Sequence, residues 1–248
     1  MINKVVDSYD EAVAGIFDGA LLLIGGFGPA NGTPSNLIRA VYKKGVKNLT
    51  ICMNTPGNGR QEMPPNMPRP KIKTPPNYDN GGLLIQNHQV KKVITAFPGT
   101  PMPGFPSPLH EQRLAGTLEL EMNPQGTMAE RLRASRAGIP AFYTPTGPGT
   151  LLGKGKEVRE FNGVPCCLET AIKGDFSLIR AHKADRRGNL VYQGSSRNFN
   201  GTMAGASKVT IAEVDYLVEV GDIDPECVAT PGVFVDIVVV RKNPAEGI

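Results

Sequence analysis

Histidine and cysteine are scarce in this chain, and their scarcity excludes some chemistry. The 248 residues include three histidines and four cysteines. No two cysteines have the C-x-x-C spacing of a structural zinc site, and the adjacent pair Cys166-Cys167 is poor metal geometry, so no metal site is expected. The cysteines are predicted to be reduced and mostly buried, as in a cytosolic protein.

Long apolar runs and dense basic runs are also missing. No apolar stretch approaches the roughly 20 residues that span a bilayer, and the first residues, MINKVVDSYDEA, lack the pattern of a signal peptide. We therefore expect a cytoplasmic protein without a membrane segment. The net charge of +4 is spread along the chain, so nucleic-acid binding is not indicated. This mild basic excess suits an anionic small ligand, or serves solubility alone.

Apolar residues make up 40% of the chain, enough for one α/β domain over residues 1–248. Helical spacing predicts a helix over residues 8–17, capped by Asp7 or Ser8, and the run ALLLIGG then predicts a buried strand. SNLIRAVYKKG predicts a helix capped by its serine and ended by Gly45, and NLTICMN predicts the next strand. This alternation continues to the last strand, VFVDIVVV, and indicates an open, mostly parallel sheet flanked by helices.

Three segments interrupt the alternation. A proline-rich insertion at about residues 58–78 fits neither helix nor central strand, and predicts an interface arm, a lid or a disordered segment. A second proline-rich loop covers residues 98–108. Residues 153–163, GKGKEVREFNG, are predicted to be a polar connection, and TMAGASK, residues 202–208, a helix.

The loop GGFGPANGTP follows the first buried strand and is the strongest local feature. It lacks the lysine of a nucleotide-binding P-loop, and Asn31 stands where a dinucleotide-binding loop needs its third glycine. The loop is either a turn whose glycines supply positive φ or the wall of a ligand site. Its place at the carboxyl end of a predicted parallel strand favours a ligand site.

Five segments, in the same order along the chain, resemble the family I coenzyme A transferases. These enzymes combine two types of subunit, and the resemblance is to the A-type (alpha) subunit. They are DGALLLIGGFGPANGTPSNLI, NPQGTMAERLRASRAGIPAFYTPTGPGT, VREFNG, GDFSLIRAHKADRRGNLVYQGSSRNFN and VATPGVFVD. The resemblance implies the fold that this family shares with sugar-phosphate isomerases of the NagB type. The glycine loop is one residue longer than the usual pattern, and the proline-rich insertion has no counterpart in that pattern.

The resemblance implies the chemistry and the site. Coenzyme A passes between acyl groups by a ping-pong mechanism, with the thioester as substrate and no permanently bound cofactor. Gln125 would donate to the oxyanion, and Asn54 would orient a substrate carboxylate. Gly25, Gly26, Phe27 and Gly28 would wall the pocket. Without that resemblance, Gln125 could bond its own turn and Asn54 could form an Asx-turn.

The resemblance places the nucleophilic glutamate on a separate B-type (beta) subunit. Glu160, in EFNG, matches a different and non-catalytic segment of the family. This chain is therefore expected to act only in a hetero-oligomer, and the expected assembly is a heterotetramer. No Ser-His-Asp triad is inferred from His182 and Asp185. Asn198 and Asn200 are predicted to fix a buried loop by side-chain hydrogen bonds.

Short-chain carboxylates or 3-oxo acids are the expected acceptors, with succinyl-CoA or acetyl-CoA as donors. Two other classes remain open. A single-chain sugar-phosphate isomerase would carry its own acid–base carboxylate and a phosphate cradle. A non-catalytic ligand-binding module of the same fold would show no transferase activity with any partner.

Overall fold

The computed structural model of the chain describes residues 2–27, 32–60, 78–99 and 107–242. The strands are β1 (Val5–Val6), β2 (Leu21–Ile24), β3 (Leu49–Cys52), β4 (Val90–Thr95), β5 (Glu119–Met122), β6 (Ala141–Thr144), β7 (Val158–Phe161), β8 (Val164–Thr170), β9 (Gly174–Asp185), β10 (Leu190–Val191), β11 (Ser207–Val218) and β12 (Ile237–Val240). The helices are α1 (Tyr9–Ala12), α2 (Ser35–Lys44), α3 (Gly82–Gln86), α4 (Pro108–Leu114), α5 (Gln125–Arg136) and α6 (Asn198–Met203).

In this part of the chain a nine-stranded sheet carries the fold. Its strand order is β1-β12-β11-β9-β2-β3-β4-β5, with β10 paired to β9. Every neighbouring pair along that order is parallel, and β10 alone runs antiparallel to its partner. The prediction of an open, mostly parallel sheet flanked by helices is confirmed. Because the strands are parallel, their carboxyl ends share one edge of the sheet.

Both faces of the sheet are buried at its centre, as is usual where helices cover a parallel sheet. On β9, Phe176 and Leu178 pack into one apolar cluster together with the core residues of α2. Ile179 and Ala181 pack into a second cluster that includes Met128 of α5. Strand β9 is therefore covered on both sides and forms the centre of the molecule.

The start of α2 is capped by residues that are distant in the sequence. The sequence predicted that Ser35 would cap this helix, but its hydroxyl donates to the carbonyl oxygen of Asp79 at 2.7 Å instead. The backbone N–H groups of Asn36 and Leu37 donate to the carboxylate of Glu213 on β11, at 3.0 and 3.1 Å. The predicted serine cap is wrong because a buried carboxylate from another strand binds these free N–H groups.

Helix α1 is shorter than the sequence predicted. It ends at Ala12 rather than near Phe17, and Gly15, a poor helix former, lies just beyond its end. Of the two predicted caps, Ser8 is confirmed, because its hydroxyl accepts from the N–H of Glu11 at 3.1 Å. The predicted stop of α2 is confirmed as well, since Gly45 adopts the left-handed conformation with φ of 75°.

A second sheet replaces the predicted polar connection. Strands β6, β8 and β7 form a three-stranded antiparallel sheet, and Asn162 and Gly163 make the tight turn between β7 and β8 with φ of 52° and 78°. Two successive positive φ values are typical of a two-residue hairpin turn, which asparagine and glycine tolerate. The helix predicted over residues 202–208 is also wrong, because α6 ends at Met203 and β11 begins at Ser207.

Candidate active site

The predicted site residues lie at the carboxyl edge of the main sheet. Gly25, Gly26 and Phe27 follow β2 directly. One residue separates Asn54 from the end of β3, and Gln125 is the first residue of α5, the helix that follows β5. These strands are parallel and close together, so their ends approach one another. Gly28, the fourth residue of the predicted wall, lies outside the described residues, as does most of the insertion at about residues 58–78.

Asn54 and Gln125 are in direct contact. The amide nitrogen Nε2 of Gln125 donates to Oδ1 of Asn54 at 2.9 Å, and Nδ2 of Asn54 donates to Oγ1 of Thr55 at 3.1 Å. Asn54 is buried and Gln125 is exposed. Thus Gln125 does not bond its own turn, and Oδ1 of Asn54 is not engaged in an Asx-turn.

This pair is neutral and rich in donors. Each side-chain NH₂ group carries two hydrogens, and each of the two bonds above uses one of them. The second N–H of each amide can donate to an anionic oxygen. Neither amide ionises near neutral pH, so the pair can bind negative charge without giving up a proton.

Cys52, the last residue of β3, is not an alternative nucleophile. Its side chain is fully buried, and burial raises the pKa of its thiol to about 12. A thiol with so high a pKa stays protonated at neutral pH, whereas the thiolate is the reactive form. Cys52 therefore acts as a small apolar side chain under the site.

Asn200 connects the two ends of the glycine loop. Its side chain is fully buried, and Nδ2 donates to the carbonyl oxygens of Gly32 at 2.9 Å and Ser196 at 2.8 Å. Oδ1 accepts from the backbone N–H of Arg180 at 3.0 Å. A Cβ atom on Gly25 would stand only 1.8 Å from this Oδ1. The prediction that Asn200 fixes a buried loop is confirmed.

Gly26 and Phe27 differ in their surroundings. Gly26 has φ of 99°, and a Cβ there would stand 2.5 Å from Oγ1 of Thr33, so the backbone of Gly26 packs directly against Thr33 where only glycine fits. Phe27 is 43% exposed and offers an apolar surface at the edge. Asn198, predicted to act like Asn200, makes an exposed bond from Nδ2 to the carbonyl oxygen of Ser195.

The described ends of the proline-rich insertion are fixed by one carboxylate. Asp79 accepts from Nε of Arg39 at 2.6 Å and from Nε of Arg60 at 2.8 Å. Burial by itself raises the pKa of Asp79, but the hydrogen bonds from the two guanidinium groups outweigh burial and lower it. Beside it, the hydroxyl of Tyr78 donates to Oγ1 of Thr33 at 3.3 Å. The insertion therefore starts and ends against α2 and the glycine loop.

Substituting Asp79→Asn is expected to lower the free energy of unfolding by about 1–3 kcal/mol at pH 7, because two guanidinium groups lose their charged acceptor. The lowered pKa means that this stabilisation is complete above the ordinary carboxyl pKa of about 4 and fades as pH falls below it. Urea unfolding at pH 7 and pH 3 measures the change, and the difference from wild type should shrink at pH 3.

Glu157→Gln is the matched control for Asp79→Asn. Glu157 also accepts from an arginine, Nε of Arg159 at 2.6 Å, but this pair is exposed, and exposed pairs contribute little. The control is expected to leave the unfolding midpoint unchanged. Equal effects of the two substitutions, or a difference that persists at pH 3, would contradict the role given to Asp79.

His182 and Asp185 do not form part of a triad. Nδ1 of His182 lies 3.6 Å from Oδ2 of Asp215, a different carboxylate from the one the spacing suggests. Asp185 accepts from the backbone N–H groups of Arg187 and Asn189 at 2.9 and 3.0 Å, so it shapes a turn. Glu160 lies on β7, exposed in the antiparallel sheet.

Sequence reasoning missed Thr95 and Asn123, which also lie at the carboxyl edge. Thr95 ends β4 and Asn123 follows β5, and both are almost fully buried. The signal that singled out Asn54, a polar residue closing an apolar strand, is weaker for these two, because β4 contains two lysines and β5 two glutamates. Their place beside Asn54 follows from the order of β3, β4 and β5 in the sheet.

Within the described part of the chain, no helix is long and apolar enough to cross a bilayer. No group of three or more histidine, cysteine, aspartate or glutamate side chains there has the arrangement of a metal site.

The chain is similar to known proteins along almost its whole length. Residues 6–241 match the family model described as coenzyme A transferase. The chain is 44% identical to the A-type subunit of 3-oxoadipate CoA-transferase from Pseudomonas putida, over 99% of this chain and 96% of that protein. It is 42% identical to the A-type subunit of succinyl-CoA:3-ketoacid coenzyme A transferase from Helicobacter pylori strain J99, over 94% of this chain and 90% of that protein.

A solved structure shares the fold. The apoenzyme of the acyl-CoA transferase YdiF from Escherichia coli O157:H7 superposes with a TM-score of 0.79 and 21% identity. The match covers 99% of this chain and 48% of that chain. The fold and the sequence matches together define a transferase, and the chain belongs to the coenzyme A transferase family.

Proposed function

We propose that this chain is the A-type subunit of a 3-oxoacid-type CoA-transferase and that it works with a separate B-type subunit. One observation carries the proposal: the neutral amide pair Asn54–Gln125 at the carboxyl edge of the sheet, joined by a hydrogen bond of 2.9 Å. Such a pair can stabilise an oxyanion, and it needs a nucleophile from elsewhere. Relatives that carry the A-type name at more than 40% identity support the same assignment.

In the proposed reaction, a glutamate carboxylate from the B-type subunit first attacks the carbonyl carbon of an acyl-CoA. The tetrahedral oxyanion collapses, CoA thiolate leaves, and a mixed anhydride forms. The thiolate then attacks the glutamyl carbonyl, which releases the first carboxylate and leaves a glutamyl-CoA thioester. A second carboxylate reverses these steps, so that CoA is transferred and the glutamate is restored.

Gln125 contributes at each tetrahedral stage. Its second N–H donates to the oxyanion, and Asn54 holds the amide in place and offers a further N–H. Since the amides do not protonate the CoA thiolate, the thiolate stays nucleophilic for the next step. Gly25, Gly26, Phe27 and Gly28 would form the wall against which the acyl group lies.

The substrates proposed follow the names of the relatives. Succinyl-CoA or acetyl-CoA would be the donor, and a short-chain carboxylate or a 3-oxo acid the acceptor. We propose that residues 1–248 form one domain, that two copies join two B-type subunits in a heterotetramer, and that the enzyme works in the cytoplasm. Coenzyme A enters as a substrate rather than as a resident cofactor.

Co-expression with the open reading frame adjacent in the genome tests the proposal. The purified complex is expected to exchange CoA between an acyl-CoA and a panel of carboxylates, while the chain alone is expected to be inactive. Incubation with acyl-CoA should add the mass of CoA less one water, as in a glutamyl-CoA thioester, to the B-type subunit only. Full activity of this chain alone, or a CoA adduct on this chain, would overturn the division of the site between two subunits.

A further inference from the structure

The amide pair is part of a closed ring made of three hydrogen bonds and a short stretch of main chain. Oγ1 of Thr95 donates to the carbonyl oxygen of Asn54 at 2.8 Å, and the N–H of Asn123 donates to the carbonyl oxygen of Thr95 at 3.0 Å. From Asn123 the chain passes through Pro124 to Gln125, whose amide returns to Asn54 at 2.9 Å. The ring joins the ends of three neighbouring strands, β3, β4 and β5.

Asn123 sets the direction in which Gln125 leaves the sheet. Only Pro124 stands between them, and its ring fixes φ, here at −56°. Pro124 also provides no side-chain cap for α5. From the helix side, the N–H of Met128 donates to the carbonyl oxygen of Pro124 at 2.9 Å. From the sheet side, the turn before Gln125 is held through Asn123.

Arg131, two turns into α5, holds Asn123. Its Nη1 donates to Oδ1 of Asn123 and, at 2.7 Å, to Oε1 of Glu121. Its Nε donates to the carbonyl oxygen of Thr170 on β8 at 2.7 Å. The side chain is only 11% exposed, and the planar fork of the guanidinium fixes the positions of these three acceptors.

Glu121 closes the arrangement from the other side. Its Oε1 also accepts from Nδ2 of Asn123 at 3.3 Å, so both ends of the Asn123 amide are bonded. Its Oε2 lies 2.9 Å from Nζ of Lys92 on β4. The side chain of Asn123 is thus held between an arginine and a carboxylate that are themselves paired.

We propose that Arg131 is a positioning residue for Gln125, acting through Asn123. It does not touch the reacting atoms. It fixes the turn from which Gln125 emerges, so that the second N–H of the amide faces the oxyanion. This inference rests on the proposed function, because it takes Gln125 to be the oxyanion donor.

The test is a double-mutant cycle in the co-expressed complex. Arg131→Met is expected to lower kcat about tenfold and to leave the KM for acyl-CoA within about twofold. In a Gln125→Ala background the same substitution should lower kcat by less than about twofold, because no amide is left to position. A tenfold loss in both backgrounds would overturn the proposal and leave Arg131 a purely structural residue.

Arg133→Met is the matched control. Arg133 lies on the same helix and pairs with Glu130, but it is 58% exposed and is expected to leave kcat unchanged. If Arg131→Met fails to fold, Asn123→Ala replaces it in the cycle, since it removes the contact and leaves Arg131 paired with Glu121. The same non-additivity with Gln125→Ala is expected, and additive losses would contradict the proposal.

A second readout does not depend on activity. With ¹⁵N-labelled glutamine, the side-chain amide signal of Gln125, assigned by its loss in Gln125→Ala, is expected to shift in Arg131→Met and to stay unchanged in Arg133→Met. An unchanged signal in both would overturn the proposal. If the wild-type complex transfers no CoA, the proposed function fails, while this signal still decides whether Arg131 positions the amide.

Discussion

Gln125→Ala is expected to lower kcat of the complex by about 10²–10³-fold, with little change in the KM for acyl-CoA. Loss of one preorganised oxyanion donor has an effect of this size, because the donor acts on charge that develops only in the transition state. The ground-state thioester carbonyl gains much less from the same N–H. Steady-state kinetics of the co-expressed complex, with succinyl-CoA and a 3-oxo acid, measure both constants.

Folding effects are separable from this result. The side chain of Gln125 is exposed and makes one hydrogen bond, to Asn54. The unfolding midpoint of Gln125→Ala should therefore stay close to that of the wild type. Gln125→Glu should be at least as inactive, since it replaces the donating amide with a negatively charged carboxylate of the same shape. A kcat within about threefold of wild type for Gln125→Ala would show that this amide does not stabilise the oxyanion.

Gly25→Ala is expected to destabilise the chain by about 3 kcal/mol and to abolish most of the activity, because overpacking of this kind typically costs about 1–3 kcal/mol or more. The added Cβ would stand 1.8 Å from Oδ1 of Asn200, a distance that no real contact allows. Asn200 cannot simply turn away, because its amide bonds Arg180, Gly32 and Ser196. The loop must therefore shift.

Gly15→Ala is the matched control for Gly25→Ala. A Cβ at Gly15 meets only the ring of Phe176 at 3.6 Å, an ordinary contact, and we expect no loss of stability or activity. Urea unfolding and transferase assays of the two variants make the comparison. Near-equal stability of Gly25→Ala and wild type would show that Asn200 does not pack against the loop in this way.

The sequence predicted where the candidate site residues lie in the fold, because polar and glycine residues that close apolar strands mark the carboxyl edge of a parallel sheet. Asn54 and the glycine loop were identified by this rule together with the family resemblance, and Gln125 by the resemblance. The contact between Asn54 and Gln125 was not predicted. It depends on β3, β4 and β5 being neighbours in space, which local periodicity does not encode.

The misassigned segments share a cause of the same kind. Ser35 has every local property of a helix cap, but Glu213, from a strand near the other end of the chain, binds the free N–H groups of α2. Residues 153–163 contain so many charged and small side chains that they resemble a connection. Strand β7 forms there because β8 offers it a hydrogen-bonding partner, and the Asn162-Gly163 turn brings the two together.

The sequence by itself determined the class of fold and the order of most elements, because these follow from periodicity and local side-chain chemistry. It also carries the five segments whose resemblance to the coenzyme A transferases implied the family. The tertiary structure alone decided that Asn200, 168 residues beyond Gly32, ties the loop, and that Arg131 holds the turn before Gln125. Such contacts form when strands distant in the chain become neighbours in order to bury both faces of the sheet. The order of the strands in the sheet depends on the packing of the whole core, so no local sequence pattern predicts it.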